Sequence, residues 1–268
     1  MSLWTSWRAI AGVAVAVVLV VGAAGLAGWW FFVRDDAELA TAPLAFRETP
    51  TSEPSNDGTT ATPEATPASA ANGGGASGHI TASEGYTLYT VVAEHPAVDG
   101  RTEAAYFADE KLARLSLPST AKGTTFEVSG QFAIGPEGLD PNVASTVTVG
   151  LTSLRSDESR RDSRVRDALE VTKYPEATFT ATAIGGWPGD LPEGQDVPLT
   201  VTGIMDLHGV QRELTWDVVA RRQGNVVSAL ATVTFAYADF DIPVLNIAGF
   251  VTVEEDVTLQ VLLIAEAQ

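Results

Sequence analysis

The side chains with the clearest capacity for chemistry form a basic run. Residues 154–168 read LRSDESRRDSRVRDA and contain five arginines, namely Arg155, Arg160, Arg161, Arg164 and Arg166. Clustered guanidinium groups bind phosphate oxygens through charge-assisted hydrogen bonds. Because acidic residues lie among them at helical spacing, the arginines could instead belong to a solvated helix face with internal ion pairs. The sequence leaves both interpretations open.

Patterns typical of catalysis or metal binding do not occur in the sequence. The three histidines, His79, His95 and His208, have no His-x-His or His-Glu-x-x-His spacing, and there is no cysteine, so a zinc site is not expected. The acidic cluster at 254–256 lacks EF-hand spacing and is predicted to be a polar turn. There is no Gly-x-Ser-x-Gly elbow, Walker loop or dinucleotide fingerprint. We therefore expect no catalytic residue, no metal and no cofactor.

Composition excludes several classes of partner. The chain has 268 residues, a formal charge of −18 and a pI near 4.4. Nucleic-acid binding needs an excess of clustered Lys and Arg, so we expect no nucleic-acid partner. Adsorption of the folded part on an anionic membrane surface is disfavoured for the same reason. Because cysteine is absent, the compartment has to be inferred from targeting signals rather than from disulfides.

Short runs of alternating apolar and polar residues, typical of antiparallel strands, fill the chain from Tyr86 onwards. The predicted strands are 125–134, 143–151, 177–183, 198–205, 212–218, 226–235 and 257–265. The tetrapeptide DLHG between two of them predicts a hairpin with His208 and Gly209 in its turn, where His208 is expected to be structural.

One segment has the pattern of a helix. Ser156 is a candidate cap, and the helix would end before Tyr174-Pro175, since the residue before a proline disfavours helical geometry. Short strands with a single helix predict an all-β domain, either a sandwich or a closed barrel, and periodicity does not separate the two.

The amino-terminal part contains a candidate membrane anchor. Residues 9–33 are uninterrupted apolar residues, which as a helix at ~1.5 Å per residue would reach ~37 Å and cross a ~30 Å hydrocarbon core. With Arg8 before this run and Asp35 after it, residues 1–8 are predicted to stay in the cytoplasm. The alternative is a cleaved signal peptide with a weak small-x-small site at 25–27.

Composition changes abruptly after this run. Residues 34–85 are rich in Thr, Ser, Pro, Ala and Gly and hold few bulky apolar side chains, so they are predicted to form a disordered tether. Residues 86–268 would then be the folded domain. The sequence thus predicts a single-pass protein of the cell membrane whose carboxyl-terminal domain is extracytoplasmic.

The predicted inner face mixes small and large side chains. The small ones are Ala181, Ala183, Ala229 and Ala231, and the large ones are Phe126, Phe132, Phe179, Trp216 and Phe235. An eight-stranded barrel is wide enough either to be filled by its own side chains or to hold one small ligand. Small residues on this face favour a cavity, but interdigitation into a dry, filled core fits the same pattern.

Four features in order resemble the YceI-like lipid or polyisoprenoid-binding family. They are the Arg-Asp-x-x-x-Arg run before Leu169, Tyr174-Pro175 followed by Ala-Thr-Phe, the hairpin from Thr202-Gly203 to Leu207-His-Gly-Val210, and Asp239-Phe240 before the last strand. The resemblance covers roughly residues 100–268.

The resemblance implies a lipocalin-like antiparallel barrel of about eight strands with one short helix, whose apolar lumen holds a polyprenyl lipid or quinone. Alternation then selects the lumen-lining residues: Phe126, Val128, Phe132, Val149, Phe179, Ala181, Trp216, Ala229, Ala231 and Phe235. Arg160 and Arg164 are the candidates for head-group contact at the barrel mouth.

The function expected from the sequence is a non-catalytic carrier or reservoir for an apolar lipid, tethered outside the cell. Two alternatives stay open, namely a surface adhesion or scaffold domain with a filled core, and a lipid-modifying enzyme. An open barrel edge could pair with a second copy, so a homodimer is a candidate assembly.

Overall fold

The computed structural model describes residues 37–47, 80–112, 118–244, 246–247 and 251–268. The predicted cytoplasmic segment 1–8, the predicted membrane helix 9–33 and most of the predicted tether lie outside the described residues. In the part of the chain that is described, no helix has the length and apolar content needed to cross a bilayer.

The described residues form strands, one α-helix and one 3₁₀ turn. The strands are β1 (Thr87–Val92), β2 (Glu103–Leu112), β3 (Pro118–Thr125), β4 (Val128–Gly135), β5 (Gly138–Leu139), β6 (Ser145–Gly150), β7 (Arg155–Ser156), β8 (Glu176–Gly185), β9 (Val197–Leu207), β10 (Val210–Gln223), β11 (Val226–Ala236), β12 (Asn246–Ile247) and β13 (Val251–Ala267). The helix α1 spans Ser159–Ala168, and the 3₁₀ turn spans Tyr237–Phe240.

The strands close into one antiparallel barrel with eight positions around its circumference. The long strands β8, β9, β10, β11 and β13 each fill one position. Each of the other three positions is shared by two strands placed end to end, β1 with β2, β4 with β3, and β6 with β7. Closure occurs at β13, which pairs with β11 along one edge and with β1 and β2 along the other. The predicted eight-stranded barrel with one short helix is confirmed.

The β9–β10 hairpin fixes its register through a two-residue turn. His208 and Gly209 both have positive φ, 56° and 75°, as a tight hairpin turn requires. The ring of Tyr174 lies against this turn, so close that a Cβ on residue 209 would come 2.6 Å from its Cε1. The predicted hairpin is confirmed, and Gly209 is needed both for its backbone angle and for this contact.

The structure corrects the predicted strand at 125–134. Strand β3 ends at Thr125 and β4 begins at Val128, so Phe126 and Glu127 form a turn between them. The backbone N–H of Glu127 donates to Oγ1 of Thr125 at 3.1 Å, which closes this turn. Phe126 is exposed and lies under the guanidinium of Arg101, 4.0 Å from the ring centroid.

The start of α1 also differs from the prediction. Glu158, rather than Ser156, caps the helix, because its side chain accepts from the backbone N–H of Arg160 at 3.1 Å. Ser156 instead donates its hydroxyl and its backbone N–H to buried Asp162, both at 2.7 Å. These two bonds fasten the helix to β7, so α1 is held across one end of the barrel.

Residues 37–47, here called the strap, are a further correction. They fall within the predicted disordered tether, yet the structure places them along the outer face of the barrel. Oε1 of Gln260 accepts from the N–H of Ala40 at 2.8 Å, and its Nε2 donates to the Ala40 carbonyl at 3.0 Å. Leu44 and Phe46 pack on a buried cluster of Val98, Val226 and Ile264. These apolar side chains, together with the Gln260 contacts, hold the strap on the barrel.

Candidate binding cavity

A cavity of about 620 Å³ lies inside the barrel. One end, here called the helix end, is bounded by Val165 and Leu169 next to Ile242. The opposite end, here called the arginine end, is bounded by Asp190 and Arg222 with Trp187. Between the two ends the wall is built from inward-facing residues of β1, β4, β6, β8, β9, β10, β11 and β13. The barrel is therefore hollow, and the filled-core alternative is not what the structure contains.

Most of the residues predicted to face the lumen lie on the cavity wall. They are Phe132, Val149, Phe179, Ala181, Trp216, Ala229, Ala231 and Phe235. Phe126 and Val128 do not belong to the wall, which corrects the prediction for these two. Phe126 is in the β3–β4 turn, and Val128 is buried among Val91, Ala104 and Leu263.

Small residues create the space. Ala229 and Ala231 on β11 face the lumen opposite Ala220 and Val218 of β10. Gly203 on β9 lets the ring of Phe179 lie across the neighbouring strand, since a Cβ there would come 2.7 Å from Cζ of Phe179.

A bulge in β8 explains one further difference from the predicted inner face. The register between β8 and β9 shifts between Ala181 and Ala183. Ala181 stays on the wall, whereas Ala183 is exposed. Strict alternation along ATFTATA predicted both inside, and the extra residue of the bulge turns Ala183 outward.

Aromatic pairs stiffen the wall. Tyr89 stacks on Phe132 with ring centroids 5.3 Å apart and planes inclined by 16°. Phe179 meets Trp216 edge to face at 5.7 Å. Such pairs contribute about 0.5–1.5 kcal/mol each beyond area burial, so they stabilise the wall of the cavity.

The two tryptophans of the wall differ in how their indole N–H groups are used. Nε1 of Trp187 donates to the carbonyl of Gly135 at 3.0 Å. Nε1 of Trp216 is buried and makes no hydrogen bond to any described residue. Trp216 itself is only 6% exposed.

Arg222 is the cation at the arginine end, and it is well provided with acceptors. Its Nε donates to the carbonyl of Leu191 at 2.9 Å, and its Nη1 donates to the carbonyl of Gly224 at 3.3 Å. Its Nη2 lies 3.2 Å from Asp190, and its Nη1 lies 3.3 Å from Glu193. The positive charge is therefore compensated by two carboxylates of one loop.

The environment of this end affects Tyr89. Burial raises the pKa of Tyr89, the positive charge of Arg222 opposes that rise, and Asp190 adds to it. The phenol therefore stays protonated across the physiological range and presents a neutral hydroxyl group in the wall.

The predicted head-group arginines lie elsewhere. Arg160 and Arg164 are on the exposed face of α1, whereas Val165 and Leu169 turn to the cavity. Neither arginine belongs to the wall, so the geometry does not support the predicted contact. Sequence reasoning missed Arg222, although it continues the inward-facing series of Trp216, Val218 and Ala220 at a spacing of two.

A buried carboxylate next to the arginine end was also missed. Asp140 accepts from the backbone N–H and the hydroxyl of Ser83, at 2.7 and 3.0 Å, and from the N–H of Asn142 at 2.9 Å. Burial raises the pKa of Asp140, but these hydrogen bonds from Ser83 and Asn142 outweigh it and hold the pKa below its usual value. The signal in the sequence was Asp-Pro-Asn at 140–142, a typical side-chain-to-backbone turn. Asp140 thus ties the segment before β1 to the barrel beside Leu139 and Gly85 of the wall.

Between residues 37 and 268, as far as the structure describes them, no group of three or more His, Asp or Glu side chains is placed to hold a metal ion.

Comparison with known proteins agrees with this architecture. Residues 89–265 match the YceI-like domain family. The chain belongs to this family. Among curated YceI-like relatives, the UPF0312 protein VPA0850 of Vibrio parahaemolyticus is 31% identical over 171 residues, which are 58% of this chain and 86% of the relative. Protein YceI of Salmonella newport is 29% identical over 150 residues, 55% of this chain and 73% of the relative.

A solved structure shares the YceI-like fold. It is a polyisoprenoid binding domain from Saccharophagus degradans implicated in plant cell wall breakdown. The TM-score is 0.50 at 18% sequence identity, and the match covers 69% of this chain and 99% of that domain. At this identity the likeness concerns the fold alone.

Proposed function

We propose that this YceI-like protein is a membrane-tethered, extracytoplasmic binding protein that holds an isoprenoid or similar apolar lipid in its barrel as a carrier or reservoir, without catalysis. The observation that carries the proposal is the cavity of about 620 Å³, whose wall is formed mostly by apolar side chains. Family membership supports it, because a neighbour of the same fold is described as a polyisoprenoid binding domain.

The cavity has a suitable size for a short isoprenoid tail. An apolar protein cavity of about 150 Å³ binds one benzene molecule, so about 620 Å³ has room for roughly 25 carbon atoms, or about five isoprene units. Each buried methylene contributes about 0.8 kcal/mol. The gain from a tail of that length exceeds a cost of association of about 4–15 kcal/mol, so no charged pocket is needed for affinity.

The tether and the compartment belong to the proposal and rest on the sequence. Residues 9–33 have the length and composition of a signal anchor, and the charges on either side favour a cytoplasmic amino terminus. Protease protection in intact spheroplasts tests this orientation. Proteolysis of the domain from outside, with the protein in the membrane fraction, is expected, and release of the domain into the medium would indicate cleavage instead.

Solvent extraction of the purified full-length protein, followed by mass spectrometry, tests lipid binding. Ala229→Trp and Ala231→Trp each place an indole in the lumen and are expected to reduce the extracted lipid at least tenfold. Ala183→Trp is the matched control, because Ala183 is exposed beyond the β8 bulge.

Each other outcome has a defined meaning. If no lipid is extracted from the wild type, and none binds on addition, a scaffold role replaces the proposal. If the bound lipid is chemically converted, the protein is a lipid-modifying enzyme. If Ala183→Trp lowers the yield as much as the lumen variants do, the assignment of the wall is wrong.

A further inference from the structure

The strap runs from the helix end of the barrel to the arginine end. At its start, the backbone N–H of Ala37 donates to the carbonyl of Thr120 at 3.5 Å. Thr120 pairs with Asp109 of β2, at the level where β11 ends and the 3₁₀ turn begins. Further along, the carbonyl of Leu44 accepts from the hydroxyl of Ser228 at 2.9 Å, near the start of β11 and the β10–β11 turn. The chain that precedes the strap therefore reaches the barrel at its helix end.

The sheet continues beyond the barrel at this same end. Strand β11 stops at Ala236, opposite Asp256, whereas β13 begins five residues before Asp256, at Val251. There β13 pairs with β12 along one edge and with the last residues of β2 along the other, and β2 pairs with the first residues of β3. This extension, here called the flap, consists of β12 with residues 110–112, 118–119 and 251–255. Five extended residues span at most about 17 Å at ~3.4 Å per residue, so the flap reaches up to that far past the end of β11.

The exposed side chains of the helix end are of two kinds. Val244, between the 3₁₀ turn and the flap, is an apolar side chain that is 42% exposed. Glu255 and Asp256 are exposed carboxylates at the base of the flap. Carboxylates are not attracted to anionic lipids, so charge does not bring this end to a membrane. A covalent tether can do so, because it gives even a weak contact a high effective concentration.

The proposed tether also meets the barrel at the helix end. Only residues 34–36 separate the proposed anchor at 9–33 from Ala37. Strand β11, which spans the wall between the two ends, is about 35 Å long at ~3.4 Å per residue. Three residues of linker are much shorter than this, so an anchor at 9–33 holds the helix end, and not the arginine end, close to the bilayer. The two hydrogen bonds between Gln260 and Ala40 keep the strap in this direction.

Resting on the membrane tether of the proposed function, we propose that the helix end is a docking surface for the phospholipid bilayer that contains the chain's own anchor. The flap and Val244 contact the lipid head groups, and the arginine end points away from the membrane. The strap sets this orientation, because it fixes the point at which the anchor joins the barrel. The occupant of the surface is thus the membrane itself and not a second protein.

Single cysteine labels test this orientation in the full-length protein. The sequence contains no cysteine, so each variant carries one fluorophore at a chosen position. Val244→Cys and Glu255→Cys label the helix end, and Glu137→Cys and Gln223→Cys label the arginine end, all at exposed positions. In phosphatidylcholine nanodiscs with a spin label on the lipid head group, we expect quenching at least about threefold stronger at the helix end. Equal quenching at both ends would show a barrel lying on its side and would overturn the proposal, as would stronger quenching at the arginine end.

Two insertions of the same Gly-Ser segment, about twenty residues long, test the role of the strap. One follows Asp36, between the anchor and the strap. It should lower the quenching at Val244 at least about twofold, because a longer tether reduces the effective concentration of the helix end at the bilayer. The other follows Thr60, in the part of the chain that begins and ends on the barrel, and should leave the quenching unchanged. Equal effects of the two insertions would contradict the role given to the strap.

Co-elution with the nanodiscs distinguishes failure of this proposal from failure of the function on which it rests. The melting temperature of each variant verifies that it is folded. A folded protein that does not co-elute has no membrane anchor, which contradicts the tether of the proposed function. A folded protein that co-elutes but shows no difference between the two ends contradicts the docking surface alone.

Discussion

Nδ1 of His208 lies 3.1 Å from the carbonyl oxygen of Phe240, and it joins two parts of the chain that are 32 residues apart. A carbonyl only accepts, so Nδ1 carries the proton in this contact. Phe240 is completely buried and packs edge to face on Phe235, 4.8 Å away. The hairpin turn of β9–β10 therefore holds the 3₁₀ turn that covers the helix end of the cavity.

Replacing His208 with Asn should destabilise the domain by about 1 kcal/mol, the typical net value of one hydrogen bond. Asn tolerates the positive φ of this position but is too short to reach Phe240. Urea unfolding of the variant measures the change. Glu213→Gln, at an exposed position of β10, is the control, and an equal shift there would show that the His208 contact contributes nothing.

Asp140 predicts a defined pH dependence. Because its pKa is lower in the folded state than in the unfolded state, its contribution to stability is complete above the unfolded value, near 3.8, and is lost as the pH falls through the lower folded value. The stability advantage of the wild type over Asp140→Asn should be constant from pH 7 to about pH 5 and shrink at more acidic pH. Urea titrations across this range measure it.

Asp217→Asn controls for the loss of any exposed carboxylate on the same domain. A wild-type advantage over Asp140→Asn that grew as the pH fell would contradict the role given to Asp140.

The strap depends on Gln260. Gln260→Leu keeps the size of the side chain but removes the two bonds to Ala40 and the one to Oγ1 of Thr232, at 3.1 Å. We expect the free energy of unfolding to fall by about 1–2 kcal/mol, because the half-buried backbone N–H and carbonyl of Ala40 lose their partners. Hydrogen exchange at the Ala40 amide should become faster, while exchange in β9 stays unchanged.

Thr258→Val is the matched control for this test, because it removes the bond to Thr234 on the outer face of the same strand pair. If Thr258→Val accelerated exchange at Ala40 as much as Gln260→Leu did, the strap would not be held by Gln260.

Phe126 and Phe132 form a matched pair of substitutions. Phe132→Ala removes the ring that stacks on Tyr89 in the cavity wall. It should lower the free energy of unfolding by about 2 kcal/mol and change the amount of lipid extracted from the protein. Phe126→Ala affects only an exposed ring over Arg101 and should cost less than about 1 kcal/mol with no change in capacity. Thermal unfolding and lipid extraction of both variants check this, and equal losses of lipid would contradict the position of Phe126.

The strands of the barrel were predictable where one face of the strand is buried and the other is exposed to solvent. In β10 the lumen-facing residues Trp216 and Val218 alternate with exposed Thr215 and Asp217, and this pattern identified the strand. In β2 the outward-facing Ala105 and Phe107 are buried as well as the inward-facing Ala104, so alternation disappears and the strand was not predicted. The β3–β4 turn was missed because alternation continues across it.

The cavity wall was largely predictable and its polar ends were not. Period-two spacing identifies which residues face inwards, and it fails at the β8 bulge, where one extra residue reverses Ala183. Arg222 is held in the wall by Asp190 and Glu193, which lie about thirty residues earlier in the chain. No local pattern contains that pairing, whereas the arginine run of α1 is conspicuous in sequence and lies away from the lumen.

The position of the strap limits the distance between the barrel and the proposed membrane anchor. Arg47 is fixed beside Asp99 at 2.6 Å, and the chain is described again from residue 80 on its way into β1, so residues 48–79 start and finish on the same domain. These residues therefore cannot increase the distance between the barrel and a membrane anchor. With the proposed anchor at 9–33, only residues 34–36 would join it to the strap, and three residues reach at most about 10 Å at ~3.5 Å per residue. If the proposed carrier function holds, lipid would then enter and leave the barrel at the bilayer surface itself, within the thickness of the headgroup layer.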